Sequence, residues 1–496
     1  KFMISEFDTI AAIATAVSNA GIGIIRISGG ESMRILGEVF EPYNKKEVSL
    51  LESHRVYYGN IKDGETVIDE CIVIIMKAPH SYTREDVVEI DCHGGVSVVY
   101  RVLNLVLKHG ARPAEPGEFT KRAFLNGRID LSQAEAVMDL IESRNELARR
   151  NSVAQLKGGL SDKIKKIREE VLYQVAYIES ALDDPEHISL DGYGDTLYPR
   201  VEEWADETRK MLSSYDDGRY IAEGIRTCIV GKPNAGKSSF LNALLGEERA
   251  IVTEIAGTTR DTLEESVTID GITLNIIDTA GIRDTEDTVE KIGVEKARRE
   301  IENADIILYV ADTLVPLSSE DFDILDQIRG RKKMFLLNKS DVSQAESNAG
   351  NTGEAGQSKA QRSGQSGENQ PKFRGNFEQA AARIREYAEE DEPVIAISAK
   401  YHQGIDDFIT ELKKMMFHGK IDANQEMYIT NARHKNALDE ALSSFQCVKE
   451  SIENGMPEDF FTIDLMNAYE KLGLITGEAV EEDLVNEIFS RFCTGK

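Results

Sequence analysis

The sequence lacks paired cysteines, long apolar runs and an excess of positive charge. Its five cysteines form no C-x-x-C pair, which argues against a disulfide framework or a zinc knuckle and indicates a reducing compartment. No run approaches the roughly 18 apolar residues that a membrane-spanning helix needs. The N-terminus has no basic region followed by an apolar stretch, the pattern of a signal peptide. We therefore expect a cytoplasmic protein without membrane contact.

The charge balance excludes bulk electrostatic attraction to nucleic acid. The chain carries 58 Lys and Arg against 87 Asp and Glu, a formal net charge of -29. A protein that holds nucleic acid by general positive charge has the opposite balance. Any contact with RNA must therefore use local basic patches.

Changes in apolar periodicity divide the chain, whose 496 residues are too many for one compact core. Residues 1–125 alternate short apolar runs with one helix-like stretch, which predicts an α+β domain. Residues 126–220 and 418–496 have helical periodicity. Between them, over residues 221–417, strand-like runs alternate with helical stretches, as in a parallel sheet with crossover helices. The sequence thus predicts a multidomain fold in which an α/β domain is inserted into a discontinuous all-α domain.

A phosphate-binding motif opens the α/β domain. Gly231–Ser238 matches G-x-x-x-x-G-K-[ST] directly after an apolar strand and before a helical stretch. In that context backbone N–H groups wrap the phosphates, Lys237 reaches the β and γ oxygens, and Ser238 ligates Mg²⁺. Asp278–Gly281 follows a second strand. Its Asp side chain can belong to the coordination shell of the metal, and the backbone N–H of its Gly can contact the γ-phosphate. The two motifs together predict an NTPase.

The base is predicted from a third motif. Asn338, Lys339 and Asp341 follow a strand, and an Asp carboxylate accepts two hydrogen bonds from guanine N1 and N2, which adenine does not offer. Ser398–Lys400, at the end of the next strand, resembles the base-contacting loop of GTPases. A solvated turn is the competing interpretation for each short piece alone, but the order of the motifs favours GTP.

One departure concerns hydrolysis. Ile282 stands where a Ras-like enzyme has its water-orienting Gln, and it cannot orient water. The catalytic device must lie elsewhere. Arg260 closes a switch-like loop in which Thr259 is the natural Mg²⁺ ligand. Glu290 lies in a charged segment that could swing toward the phosphates, although the sequence alone favours a surface role for it.

These residues resemble one family closely. The loop P-N-A-G-K-S-S, the switch G-T-T-R-D, the segment V-E-K-I-G and the ending C-T-G-K are similar to the MnmE family of tRNA-modifying GTPases, as are residues 21–30 and 114–133. The resemblance covers nearly the whole chain, and the ending is its most specific part. It implies a homodimer with an N-terminal folate-binding domain, a helical domain and an inserted Ras-like G domain whose hydrolysis depends on potassium.

The resemblance also implies roles for individual residues. Glu290 matches the family's water-orienting glutamate. Potassium is ligated by Asn234, Thr253, Ile255 and Thr258. The cofactor, 5,10-methylenetetrahydrofolate or 5-formyltetrahydrofolate, is bound by Arg26, Glu89, Arg128 and Lys496. The full set expected at GTP is Asn234, Ala235, Gly236, Lys237, Ser238, Ser239, Thr253, Thr258, Thr259, Asp278, Thr279, Ala280, Gly281, Asn338, Lys339, Asp341, Ser398, Ala399 and Lys400.

Three features depart from the family or invite a different assignment. Residues 16–20 read A-V-S-N-A where the family usually has P-G-R-G, so we expect the local geometry of the folate loop to differ from the family's. Residues 343–376 are rich in small and polar side chains, and we predict a flexible insert. Adjacent Cys92 and His93 could suggest a metal site, but neighbours in an extended segment point to opposite faces, so structural roles are favoured.

The leading hypothesis is an enzyme that hydrolyses GTP while, with the flavoprotein MnmG, it attaches an aminomethyl or carboxymethylaminomethyl group to wobble uridine C5 of certain tRNAs. Cys493, near the chain end, is the candidate for nucleophile or acid/base, or the tail closes the folate pocket. The alternative is a GTP-switched RNA-binding or ribosome-assembly factor without modification chemistry. A membrane-remodelling GTPase lacks support, because the sequence has no basic amphipathic helix or lipidation site.

Overall fold

A computed structural model of the chain describes residues 8–246, 251–253, 265–277, 299–341, 376–417, 427–478, 480 and 482–495. The chain forms two compact units. The first contains Lys1–Glu142, Ser152–Leu212 and Ala432–Lys496, and the second contains Ser143–Asn151 and Ser213–Asn431. Among the described helices, none is both long enough and apolar enough to cross a membrane.

The first unit begins with a seven-stranded sheet. Its elements are β1 (Ile10–Ile13), β2 (Ile22–Ser28), α1 (Ser32–Val39), β3 (Phe40–Pro42), β4 (Arg55–Asp63), β5 (Thr66–Met76), β6 (Val87–His93), α2 (Val96–Lys108), β7 (Arg112–Pro113) and α3 (Glu118–Leu125). The strand order is β3-β4-β5-β6-β2-β1-β7. Alternating apolar side chains of β2, β5 and β6 face α1 and α2 and form the main core of the sheet.

Helices follow along the chain as α4 (Leu131–Glu142), α5 (Glu146–Leu156), α6 (Gly159–Asp183), α7 (Tyr193–Ser213) and α8 (Tyr215–Glu223). In α6 the apolar residues Ile164, Ile167 and Val171 recur at three- and four-residue spacing, and all are buried. One face of α6 is therefore part of a helical core.

The second unit contains the other seven-stranded sheet, whose described elements are β8 (Ile225–Val230), α9 (Lys237–Leu245), β9 (Ile251–Thr253), β10 (Glu265–Ile269), β11 (Ile272–Ile277), β12 (Ile306–Asp312), α10 (Ser319–Gln327), β13 (Lys333–Asn338), α11 (Asn376–Arg385), β14 (Val394–Ala396) and α12 (Ile405–Met416). The order is β14-β13-β12-β8-β11-β10-β9, with β8 and β11 to β14 parallel. Nearly all residues of β12 and β13 are buried, as expected for strands covered on both faces. The carboxyl ends of the parallel strands meet at one edge, where ligands bind in sheets of this type.

The chain ends in α13 (Ala432–Glu453), α14 (Glu458–Thr476) and α15 (Glu482–Ser490). Helix α14 packs against α13 and α6, and the ring centroids of Trp204 and Phe445 lie 5.9 Å apart between α7 and α13. Buried Glu135 of α4 accepts hydrogen bonds from Arg433 and from His434, whose Nε2 is 2.8 Å away. Helices from both sides of the α/β insertion thus form one helical domain, which confirms the predicted multidomain fold.

Candidate functional site

Two groups of predicted residues come together, one in each unit. The first lies in the loop between β8 and α9. Gly231 has a φ of 148°, and a Cβ there would stand 2.2 Å from the carbonyl oxygen of Val310. Gly236 has a φ of 98°, and its Cβ would stand 2.0 Å from Nδ2 of Asn338. Only glycine fits either position, so the loop can turn tightly and deliver the N-terminus of α9, with its N–H groups, to an anion.

The motif lysine lies across this loop. The ammonium group of Lys237 donates hydrogen bonds to the carbonyl oxygens of Gly231 and Lys232, at 2.7 and 2.8 Å. Ser238 follows it in the first turn of α9. Both residues therefore lie at the start of α9, where the motif places its phosphate-binding and Mg²⁺-binding side chains.

A second lysine anchors the loop, and the sequence reasoning missed it. Lys232 forms a 2.5 Å ion pair with Asp321, which also accepts hydrogen bonds from the Ser318 backbone N–H and the Tyr309 hydroxyl, each at 2.7 Å. Burial raises the pKa of Asp321, but the hydrogen bond from Lys232 and the others outweigh burial, and the pKa lies below its ordinary value. The spacing Ser318-x-x-Asp321, a capping box of α10, was the available signal.

The base-recognition residues are held by the same loop. The amide of Asn338 donates to the Ala235 carbonyl at 3.0 Å and accepts from the Ala399 N–H at 3.1 Å. Asn338 therefore joins the phosphate loop to the two loops that follow β13 and β14. This buried amide fixes the distance between the phosphate and base regions.

The carboxylate predicted to recognise guanine, that of Asp341, is positioned by a buried hydroxyl. Ser398 is fully buried and donates to Oδ1 of Asp341 at 2.6 Å. Lys339 donates to Asp312 at 2.6 Å and to the Asn234 carbonyl at 3.3 Å. Lys400 is exposed, with Nζ 5.1 Å from the centroid of the Tyr401 ring. The structure thus brings the phosphate and base motifs into one edge of the sheet.

Several predicted residues of this site lie outside the described residues. Thr253 is described only as the end of β9, where it pairs with Ser266 of β10. The others are Ile255, Thr258, Thr259, Arg260, Asp278, Thr279, Ala280, Gly281, Ile282 and Glu290, together with the polar insert from residue 342 to 375. The metal and catalytic assignments among them stay predictions.

The second group lies in the first unit. Arg26 of β2 and Glu89 of β6 are register neighbours, and the guanidinium donates to Oε1 of Glu89 at 2.7 Å. Its carbon Cζ lies 6.0 Å from the ring centroid of Tyr82 and 5.6 Å from that of Phe119. Arg128 lies 4.6 Å from the Tyr82 ring. Two predicted folate residues therefore meet at one tyrosine that the sequence reasoning did not single out, and the third, Glu89, is paired with one of them.

The chain end reaches this group. Thr494 forms a β-bridge with Pro116, the Gly117 N–H donates to the Cys493 carbonyl at 3.3 Å, and Arg26 donates to the Gly495 carbonyl at 3.2 Å. Cys493 is exposed, and Lys496 lies outside the described residues. The tail is therefore held beside Arg26 by main-chain hydrogen bonds.

The adjacent pair Cys92 and His93 has the structural roles predicted for it. Cys92 is buried with its thiol donating to the Gly23 carbonyl at 3.3 Å, and burial raises the pKa of this thiol to about 11. His93 is exposed and its Nδ1 lies 2.7 Å from Oδ1 of Asp69. The two side chains leave β6 on opposite faces.

Comparison with known proteins agrees with this architecture. A family model described as "MnmE helical domain" matches residues 131–493, and one described as "GTP-binding protein TrmE N-terminus" matches residues 9–128. A protein of Lachnoclostridium phytofermentans named tRNA modification GTPase MnmE is 53% identical over 490 residues, which are 99% of each chain. The protein of that name from Thermoanaerobacter pseudethanolicus is 44% identical over 492 residues, covering 99% of this chain and 100% of the relative.

Among solved structures, the G domain of the T. maritima FeoB iron transporter is 20% identical, and the match covers 39% of this chain and 98% of that one, with a TM-score of 0.24. That score is too low to support an argument, so the fold assignment rests on the strand order and the family matches. With two family models and relatives that span almost its full length, this chain belongs to the MnmE family of tRNA modification GTPases.

Proposed function

We propose that GTP hydrolysis by this chain drives the attachment of an aminomethyl or carboxymethylaminomethyl group to C5 of wobble uridine, in a homodimer that acts with the flavoprotein MnmG. The observation that carries the proposal is the group formed by Arg26, Glu89, Arg128 and the tail at Gly495. A GTPase that only switched RNA binding would have no use for such a group far along the chain from its nucleotide motifs.

A reduced folate suits the chemistry of these side chains. The Glu89 carboxylate has acceptor sites beyond those used by Arg26 and can hydrogen-bond a pterin ring. The rings of Tyr82 and Phe119 offer apolar surface, and Arg128 can pair with the carboxylates of the glutamate tail. When bound, the folate supplies the one-carbon unit of the modification. The residues present therefore fit the cofactor that the family resemblance implies.

The second component of the proposed site is the tail, residues 493 to 495. Cys493 is exposed, and the main-chain contacts of residues 493 to 495 hold it in the unit that carries Arg26. Contacts with residues far away in the sequence hold Cys493, Thr494 and Gly495, and this fixed position argues for a role. We propose that its thiolate acts as nucleophile or acid/base in the transfer.

At the nucleotide site we propose Mg²⁺ on Ser238 and potassium on Asn234. Asn234 has a φ of 64° and lies in the phosphate loop, next to the residues that wrap the phosphates. Of the other expected ligands, Thr253 is described as the end of β9, and Ile255, Thr258 and Thr259 lie outside the described residues. Hydrolysis should be faster in potassium chloride than in sodium chloride of equal ionic strength, and equal rates in the two salts would contradict the potassium site.

Mass analysis of wobble nucleosides tests the whole proposal. Transfer RNA from cells that lack this protein should contain no aminomethyl or carboxymethylaminomethyl uridine, and the wild-type gene should restore it. Cells that carry Cys493→Ser should remain deficient, although the purified variant should fold and hydrolyse GTP normally. A normal nucleoside profile in the deletion strain would instead favour the assembly-factor alternative.

A further inference from the structure

A pocket of about 470 Å³ lies in the first unit beside the proposed folate site. It is lined in part by His54, His80, Arg84 and Arg128, and none of the described residues in its lining is a carboxylate. In a chain with a formal net charge of -29, an open concave surface with two arginines, two histidines and no acidic side chain is unusual. The lining therefore points to an anionic ligand.

The pocket shares Tyr82 and Arg128 with the group around Arg26. Tyr82 and Arg128 line the pocket, and the same Tyr82 ring lies 4.6 Å from the Arg128 guanidinium and 6.0 Å from that of Arg26. A ligand whose pterin lies near Arg26 and Glu89 and whose first glutamate meets Arg128 would extend into this pocket with whatever follows that glutamate. The other basic side chains available to it there are His54, His80 and Arg84 of the same lining.

Two of the lining residues are held in an uncommon backbone conformation. His54 and Arg84 have φ values of 57° and 59°, in the left-handed region that non-glycine residues seldom occupy. Arg84 donates one N–H to the Asn126 carbonyl at 2.9 Å, and the Nδ1 of His54 lies 2.8 Å from the Ser53 hydroxyl. A guanidinium has five N–H donors, so Arg84 can hold a carboxylate while it keeps this contact.

We propose that this pocket binds the γ-linked glutamates of a polyglutamylated reduced folate, with Arg84 and His80 as the residues that select the longer tail. The inference rests on the proposed function, because it assumes a folate at Arg26 and Glu89. The volume is within the roughly 300–1,000 Å³ of small-molecule sites. The lining comprises eight residues, a small patch compared with the run of phosphate contacts that a nucleic-acid backbone makes.

Calorimetric titration of the full-length protein tests this with 5-formyltetrahydrofolate in its monoglutamyl and polyglutamyl forms. The four basic side chains are exposed, so each new ion pair is weak and the polyglutamyl form should bind about 3- to 10-fold more tightly. Arg84→Ala and His80→Ala should remove most of that difference and leave monoglutamyl affinity unchanged. Arg101→Ala, an exposed arginine on α2, is the matched control and should change neither affinity.

The outcomes separate this inference from the function on which it rests. Equal affinity of wild-type protein for the two forms, or a difference that both variants retain, would overturn the glutamate subsite and leave folate binding intact. Failure of both forms to bind would overturn the folate proposal itself and the subsite with it. If Arg84→Ala and His80→Ala weakened tRNA binding while the preference for polyglutamate remained, the pocket would be an RNA contact and the inference wrong.

Discussion

The nucleotide site and the proposed folate site are built in different ways. The nucleotide site uses short contiguous motifs, each at the carboxyl end of a parallel strand, and main-chain geometry fixes it through Gly231, Gly236 and the hydrogen bonds of Asn338. The proposed folate site combines single side chains from β2, β6, the turn at Tyr82 and the segment before α4 with the main chain of the chain end. A site made of main-chain turns has a recognisable sequence, whereas a site made of scattered side chains does not.

The largest expected effect is a loss of GTP affinity that leaves the proposed folate site unchanged. Asp341→Asn replaces an acceptor-only carboxylate, held by Ser398, with an amide that presents a donor to guanine N–H groups. We expect GTP affinity to fall by roughly 10³-fold, whereas xanthosine triphosphate, which offers an oxygen at C2, should be bound. Folate affinity should not change.

Nucleotide titration with both triphosphates checks this change of specificity. Asp323→Asn, at an exposed position on α10, is the matched control and should bind GTP normally. GTP binding retained by Asp341→Asn would show that this carboxylate does not recognise the base.

The next effect separates binding from hydrolysis. Glu290→Ala should keep GTP affinity. If Glu290 positions the attacking water in place of the missing Gln, the substitution should raise the activation free energy of hydrolysis by on the order of 2 to 4 kcal/mol. Single-turnover hydrolysis measures this loss. Glu386→Ala, at an exposed position after α11, serves as the control. A normal hydrolysis rate for Glu290→Ala would show that Glu290 does not position the attacking water.

In the helical domain, the buried carboxylate of Glu135 with Arg433 and His434 stabilises the fold and belongs to neither site. Burial raises the pKa of Glu135, but the charges and hydrogen bonds of His434 and Arg433 outweigh burial and hold the pKa at about 2. A carboxyl with a lowered folded pKa stabilises the fold above its unfolded pKa, and this contribution disappears as the pH falls from about 4.5 toward 2.

Glu135→Gln should therefore lower the unfolding midpoint near neutral pH, at a cost on the order of 3 kcal/mol. The difference from wild type should shrink as the pH falls through that window. Glu142→Gln, exposed on the same helix, should show no such dependence. A difference between Glu135→Gln and wild type that stayed constant from pH 7 to pH 2 would show that the ion pair does not titrate as described.

Most of the nucleotide domain was predictable from the sequence. The apolar strand predicted before the phosphate motif is β8, and the helical stretch predicted after it is α9, because short apolar runs beside a recognisable motif indicate both elements. The anchoring pair Lys232 and Asp321 was missed because its members lie 89 positions apart. A capping box at Ser318 was visible but does not predict which cation meets it.

The group of residues proposed to bind folate could be predicted only through the family resemblance. Nothing in the sequence indicates that Tyr82 lies between Arg26 and Arg128, since the three reach one place through strand register and a turn. The docking of the chain end is equally hidden, because it depends on main-chain hydrogen bonds of Cys493 and Gly495 to distant residues. Long-range register, rather than local propensity, decides such sites.

The most direct test of the account uses Arg26→Ala, which removes the cation shared by Glu89 and the tail. Loss of charge-assisted hydrogen bonds should weaken folate binding by about 10- to 100-fold, while the purified variant hydrolyses GTP at the wild-type rate. In cells that depend on this variant, mass analysis should find the wobble uridine modification lost. Full modification in those cells would contradict the claim that the two sites have separate roles and that both are required.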